Sequence, residues 1–148
     1  MNDTSQSTSD LDLAARLRLS VTRTARRLRQ EADADLTPSQ VAALATVERH
    51  GPLTPSELAA AERIQRPTAT RVAAHLEARG LVARTGDPGD GRVSLLSATA
   101  QGGALLKTMR SRKNAYLAAR MAGLGAEDRA ALERAADVLE RMLEDPRT

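Results

Sequence analysis

Residues 54–96 read TPSELAAAERIQRPTATRVAAHLEARGLVARTGDPGDGRVSLL, and this stretch decides the fold. Thr54-Pro55-Ser56-Glu57 has the form of a helix start: a hydroxyl that caps, a proline where no backbone N–H is needed, and a glutamate three residues on that closes a capping box. After a short turn, Pro67 sits in the first turn of a second helix with Ile64, Ala69, Val72, Ala73 and Leu76 as its apolar face, and Gly80 ends it. Gln65, Arg66, Thr68, Thr70 and Arg71 are left for outward positions near the N-terminal end, where free N–H groups and the positive end of the helix dipole point outward. Leu81-Val82-Ala83-Arg84 and Val93-Ser94-Leu95-Leu96 are short enough for strands, and the Gly-rich loop between them makes a β-hairpin whose tip carries Asp90 and Arg92. From Thr54 to Arg92 the order is helix, turn, helix, basic-tipped hairpin.

Upstream, Thr37-Pro38-Ser39-Gln40 repeats the same start, and its helix carries Val41, Leu44, Ala45 and Val47 before His50-Gly51-Pro52 stops it. Two like caps seventeen residues apart bracket two short helices and a tight corner, not a longer repeat. From Asp10 to about Asp33, Ala14, Leu17, Val21, Ala25 and Leu28 recur at steps of three and four, an amphipathic helix with its arginines off the stripe. Residues 1–9 have the composition of a disordered tail. Downstream, Thr99 is placed to cap a helix through Leu105, Leu106, Met109, Tyr116, Leu117 and Met121, interrupted by the polar patch Arg110 to Asn114. After Gly123 and Gly125 a last helix carries Leu132, Ala135, Ala136, Leu139, Met142 and Leu143. The first and last helices each present an apolar stripe, and exchange between two subunits is the simplest way to bury both.

Composition narrows the partners. The 148 residues suit one domain, with 41% hydrophobic content built from Ala, Leu and Val. One Tyr and no Phe or Trp leave almost no stacking surface, which disfavours readers of single-stranded nucleic acid. A duplex reader needs only helices, guanidiniums and hydroxyls. Residues 49–112 hold ten basic against five acidic side chains, whereas residues 121–148 hold four against seven, so the middle of the chain is the anion-facing part. Twenty of the twenty-two basic residues are Arg, suited to phosphates and guanine edges, although a biased genome composition accounts for much of that excess. Without cysteine there is no disulfide, Cys-based metal site or thiol sensor, and His50 and His75 have no metal-ligand spacing around them. The polar start is no signal peptide and nothing approaches a membrane span, so a cytoplasmic protein without cofactor or metal is expected.

Helix, turn, helix and basic-tipped hairpin are the parts of a winged helix-turn-helix, in a chain expected to be mainly α with a small β-hairpin wing. The pattern resembles the MarR family of bacterial transcription regulators over roughly residues 11–145. The resemblance rests on Leu36-Thr37-Pro38-Ser39-Gln40, Gly51-Pro52-Leu53-Thr54-Pro55-Ser56-Glu57-Leu58-Ala59, and Arg66-Pro67-Thr68-Ala69-Thr70-Arg71. It continues through Leu76-Glu77-Ala78-Arg79-Gly80-Leu81-Val82 with Arg84, Asp87-Pro88 with Asp90-Gly91-Arg92, and Thr99 with Gly102.

That resemblance implies a homodimer in which terminal helices form an α-helical dimerisation lobe (residues 10–33 and 113–146) and residues 36–99 form the DNA-binding lobe, within one domain over 10–148. It implies that the second helix of the motif enters the major groove of a near-palindromic operator and that Arg92 reaches the minor groove, oriented by Asp90. Gln65, Arg66, Thr68, Thr70, Arg71, Arg84, Asp90 and Arg92 are the candidate DNA-binding residues. Two positions depart from the family pattern. Gln65 stands where many relatives have Ser, capping less well but offering an amide for adenine, and Ala98 stands where Leu is common.

Plainer readings stand beside these. Arg66 and Arg71 are also what solvated helix charges look like, Thr68 and Thr70 can bond backbone or water, and Asp90 with Arg92 can be a loop salt bridge worth at most about 1 kcal/mol. Arg16 to Arg29 read first as a solvated face and second as the flank of a cleft for a small anionic, aromatic or lipophilic effector. Tyr116 is expected in the dimer-lobe core. The function expected is that of a DNA-binding repressor released by a small-molecule effector. The other class weighed is a winged-helix protein–protein module without DNA binding. No nucleophile–base pair, phosphate loop or metal cluster speaks for an enzyme.

Overall fold

The computed structural model of the chain describes residues 3–32 and 35–144. Both capping boxes form. The Thr37 hydroxyl accepts from the Gln40 N–H and the Gln40 side chain accepts from the Thr37 N–H, opening α2 (Pro38–His50). Thr54 and Glu57 do the same for α3 (Pro55–Glu62). These precede α4 (Arg66–Ala78), the hairpin β1 (Val82–Gly86) and β2 (Ser94–Ala98), and α5 (Ala100–Met121). At the chain's ends lie α1 (Asp3–Ala32) and α6 (Ala126–Glu144). The architecture is mostly helical with one antiparallel hairpin, as the sequence indicates.

The core of this lobe is aliphatic. Leu44 and Val47 of α2, Leu58 of α3, Leu76 of α4 and Leu96 of β2 are fully buried, with Leu106 of α5 closing one side. Each fully buried Leu or Val contributes about 1.5–3 kcal/mol relative to exposure, so these five side chains hold three short helices and a hairpin that have little intrinsic stability. Leu53, just ahead of α3, adds a single antiparallel bridge to Leu96, with N···O distances of 3.1 and 2.7 Å, and ties the wing to the helices.

Several boundaries differ from the sequence reading. The strands were expected at residues 81–84 and 93–96 and lie at 82–86 and 94–98, paired from Val82↔Ala98 to Gly86↔Ser94. Leu81 is taken by the end of α4 instead. Its N–H bonds the Leu76 carbonyl at 2.9 Å while Gly80, at φ +68°, bonds Glu77, a Schellman ending that only a residue free of Cβ strain makes cheaply. α1 begins at Asp3, within the stretch read as a tail, because extending an existing helix fixes one residue per hydrogen bond and needs no new nucleus. Met1, Asn2, Asp33, Ala34 and residues 145–148 lie outside the described residues. The polar patch Arg110 to Asn114 leaves α5 unbroken, since Arg110 bonds Glu48 at 2.6 Å and Arg112 bonds the Ala32 carbonyl at 3.2 Å.

The chain divides into two compact units, Met1–Lys113 and Asn114–Thr148. In the first, α1 buries only Ala32 among its described residues and leaves Leu11, Leu13, Leu17, Leu19 and Val21 exposed. In the second, α6 buries no residue and exposes Leu132, Val138, Met142 and Leu143. Arg129 of this unit closes the end of α5 by donating to the Met121 carbonyl at 3.0 Å. Tyr116, expected in a core, is half-buried with Arg120 stacked 5.2 Å from its ring centre.

Candidate nucleic-acid interface

The turn between α3 and α4 sets the angle of the outward helix. Arg63 occupies the left-handed region at φ 53°, with its N–H on the Ala60 carbonyl, and the Ile64 N–H reaches back to Ala59 at 3.0 Å. This is again the Schellman pattern, with an arginine where glycine is usual, and Ile64 packs half-buried against the core. Glu62, joined to the Thr46 hydroxyl of α2, fixes the end of α3 from the other side.

From that turn α4 emerges with Gln65 as its N-cap. The Gln65 side chain makes no capping bond, so its amide stays exposed and available. Arg66, Thr70 and Arg71 are exposed on the face opposite Ala69, Val72, Ala73 and Leu76. Neither the Arg66 nor the Arg71 guanidinium is held in an ion pair among the described residues. Thr70 turns its hydroxyl inward to donate to the Arg66 carbonyl at 3.0 Å, and Thr68 is half-buried at the edge of the core stripe. The outward row therefore continues differently from the residues named in sequence: Ala74, His75 and Ala78 extend it beyond Arg71. Their spacing of three, four and seven from Arg71 was the available signal.

At the wing, two aspartates shape the loop through backbone bonds. Asp87 accepts from the Gly89 N–H at 2.7 Å, and Asp90 accepts from the Arg92 N–H at 3.0 Å. The Val93 N–H then bonds the Asp90 carbonyl at 2.9 Å. No ion pair joins the Asp90 and Arg92 side chains. The loop salt bridge weighed from sequence is thus corrected: the carboxylate holds the main chain of Arg92 and leaves its exposed guanidinium to project.

Arg84 has a different setting from the other candidates. Its Nε lies 3.3 Å from Glu77 of α4 and its Nη1 lies 3.3 Å from the Ser94 hydroxyl of β2. It braces the wing against the outward helix. The hairpin exit, where Ala98 departs from the family pattern, is secured by Thr99, whose hydroxyl donates to the Gly80 carbonyl at 2.6 Å and accepts from the Gly102 N–H at 3.1 Å.

Charge perturbations lie behind this face. Backbone and hydroxyl donors of Thr54 hold the Glu57 carboxyl below its ordinary range. The Arg110 guanidinium lowers Glu48 and is itself raised by it. Both interactions fasten elements that support α4 and the wing.

A groove of about 580 Å³ opens between α1, α2 and α5. Leu28, Leu36, Val41 and Met109 form apolar walls, and Arg26, Arg29 and Lys113 stand at it with no carboxylate among the described lining residues. Arg16, Arg18 and Arg23 are exposed elsewhere on α1, and Arg27 pairs with Glu31 at 2.8 Å, so the arginines of α1 divide between the two readings. Sequence named no pocket residues because α2 and α5 are separated by about fifty residues along the chain. Among the described residues no group of His, Cys, Asp and Glu could hold a metal, and no helix is long and apolar enough to cross a membrane.

The MarR family model matches residues 34–93, the lobe just described. The chain is similar to an uncharacterized HTH-type transcriptional regulator of Mycobacterium bovis, 38% identical over 93% of this chain and 96% of that protein. It is also similar to the crystal structure of a putative transcriptional regulator from Pseudomonas aeruginosa, at TM-score 0.84 and 38% identity over 92% of this chain and 96% of the other. A Staphylococcus aureus MepR mutant bound to an oligodeoxyribonucleotide shares the fold at TM-score 0.71, with 20% identity over 89% of this chain and 98% of that one.

Proposed function

The chain belongs to the MarR family of transcriptional regulators, and we propose that it acts as a homodimeric repressor that binds a near-palindromic DNA operator and leaves it when a small molecule fills the groove of each subunit. The observation that carries this reading is the row of exposed, unpaired groups on α4, namely Gln65, Arg66 and Arg71, beside a wing whose tip is built to hold Arg92 outward. Outward cations with no acid to satisfy them suit phosphates and base edges. The narrow minor groove's negative potential suits Arg92. MepR, with the same fold, has been crystallised on an oligodeoxyribonucleotide.

In this reading Gln65 and Arg71 read base edges in the major groove, Arg66 and Thr68 hold phosphates near the start of α4, and Arg84 and Asp90 act through position. Thr70, its hydroxyl already donated inward, contributes at most an acceptor. The exposed apolar residues of α1 and α6 support association with a second copy. Two α4 helices then serve successive major grooves only at a separation of about 34–36 Å, one helical turn. A ligand with an apolar body and an anionic group, seated on Arg26, Arg29 and Lys113, that prefers another separation shifts the population off DNA. No role as an enzyme is proposed.

Footprinting on the DNA upstream of the chain's own gene tests the reading. Protection of two half-sites about one helical turn apart is expected. A dimer that protects no fragment at low ionic strength would instead favour the protein–protein module.

A further inference from the structure

Among the described residues Arg63 alone, glycines aside, has a positive φ, at φ 53° and ψ 41° in the turn between α3 and α4. In the left-handed region an L side chain brings its Cβ close to the following carbonyl oxygen, and glycine carries no such cost. Gly80 does the same duty after α4, at φ +68°. The turn itself needs no side chain: its bonds run from the Arg63 N–H to the Ala60 carbonyl at 3.2 Å and from the Ile64 N–H to the Ala59 carbonyl at 3.0 Å, all main chain.

The Arg63 side chain is exposed and holds no ion pair among the described residues. Its neighbour Glu62 does not neutralise it, because that carboxylate is joined to the Thr46 hydroxyl of α2. A conformation that disfavours any side chain, kept with an unpaired cation on it, points to a task for that cation outside the fold. Position gives the task. Arg63 belongs to neither helix and precedes Gln65 and Arg66, the leading end of α4, by two and three residues. In a helix-turn-helix on duplex DNA the second helix enters the major groove while the first crosses the sugar–phosphate backbone. A cation in the joint between them stands at the rim of the groove, where the anion is phosphate.

We propose that Arg63 is a further DNA-contacting residue, a clamp that binds a backbone phosphate at the rim of the major groove and holds α4 in its register. This rests on the DNA-binding reading given above. The contact fixes position and carries no sequence information.

The test is fluorescence anisotropy of the full-length protein on two labelled duplexes of equal length, one from the DNA upstream of its own gene and one of scrambled sequence, across a salt series. Arg63→Gly is expected to melt within a few degrees of the parent, since glycine suits the turn, yet to bind both duplexes roughly tenfold more weakly. Its log affinity falls against log salt less steeply by about 2, one counterion for each subunit. Arg63→Asn, which tolerates the left-handed region without the freedom of glycine, loses the same affinity, and Arg63→Lys keeps the charge and most of the binding. The proposal is overturned if Arg63→Gly binds as the parent does or keeps its salt slope, or if Arg63→Asn retains the binding that Arg63→Gly loses. It is equally overturned if both variants melt well below the parent, which assigns the side chain to the fold, or if the loss is confined to the upstream duplex, which makes the contact one to bases. A parent chain that binds neither duplex removes the DNA-binding reading and this inference with it, so the unaltered protein tells the two failures apart.

Discussion

Arg92 depends on a carboxylate that never touches its guanidinium: Asp90 accepts its backbone N–H, and the turn aims the side chain. Truncating Arg92 therefore removes only the projecting charge. Arg92→Ala is expected to lower operator affinity by roughly tenfold, the worth of one charge-assisted contact, with the dimer intact. Gel-shift titration and sedimentation measure the two. Gly102 shows a different constraint. A Cβ there would sit 2.2 Å from the Leu81 carbonyl oxygen, the same carbonyl that accepts the Thr99 N–H at 3.1 Å, so neither neighbour can withdraw freely. Gly102→Ala is expected to destabilise by about 1–3 kcal/mol, read as a fall in denaturation midpoint. The motif Thr99 with Gly102 was visible in sequence, but its reason lies in that close approach of α5 to the hairpin entrance.

At the scale of elements, α3 has only eight residues and cannot stand without its cap. Thr54→Ala strips the hydroxyl from the Glu57 N–H and is expected to cost about 1 kcal/mol, measurable by chemical denaturation. The same box gives an acid signature. Because Glu57 is lowered by Thr54 in the folded chain, the stabilisation is complete above the ordinary glutamate range and is lost as pH falls through the depressed value. Glu57→Gln keeps an acceptor for the Thr54 N–H but does not titrate. Its melting temperature is accordingly expected to fall less steeply on acidification below the ordinary glutamate range, and an unchanged slope would refute the assignment. The caps, helix types and hairpin were legible because each is local chemistry: hydroxyl, proline and glutamate at fixed offsets. The strand ends were not, because Leu81 could serve a helix ending or a strand, and the Gly80 turn decided between them.

For the whole molecule, charge and exposed apolar surface make the measurable claims. If Arg66, Arg71 and Arg92 of both subunits each displace about one condensed counterion as they enter the DNA's field, whether at a phosphate or within a groove, log affinity should fall against log salt with a slope of about −5. A slope near zero would remove DNA from the reading. Val138, exposed on a helix that buries nothing, is expected to lie in the subunit contact. Val138→Glu would place a charge there, and sedimentation should show monomers at concentrations where the parent chain is dimeric.

By itself the sequence determined the order of elements, the two capping boxes, the aliphatic core and the basic face of the motif, since periodicity and caps act within a few residues of one another. Only the tertiary structure decided which candidates are free to reach outward. Arg84 is tied to Glu77 and Ser94, Thr70 turns inward, Asp90 works through backbone, and a groove flanked by cations opens between segments far apart in the chain. Those outcomes depend on which side chains meet across helices and strands, and sequence spacing specifies a residue's face but not the partner that packing brings to it.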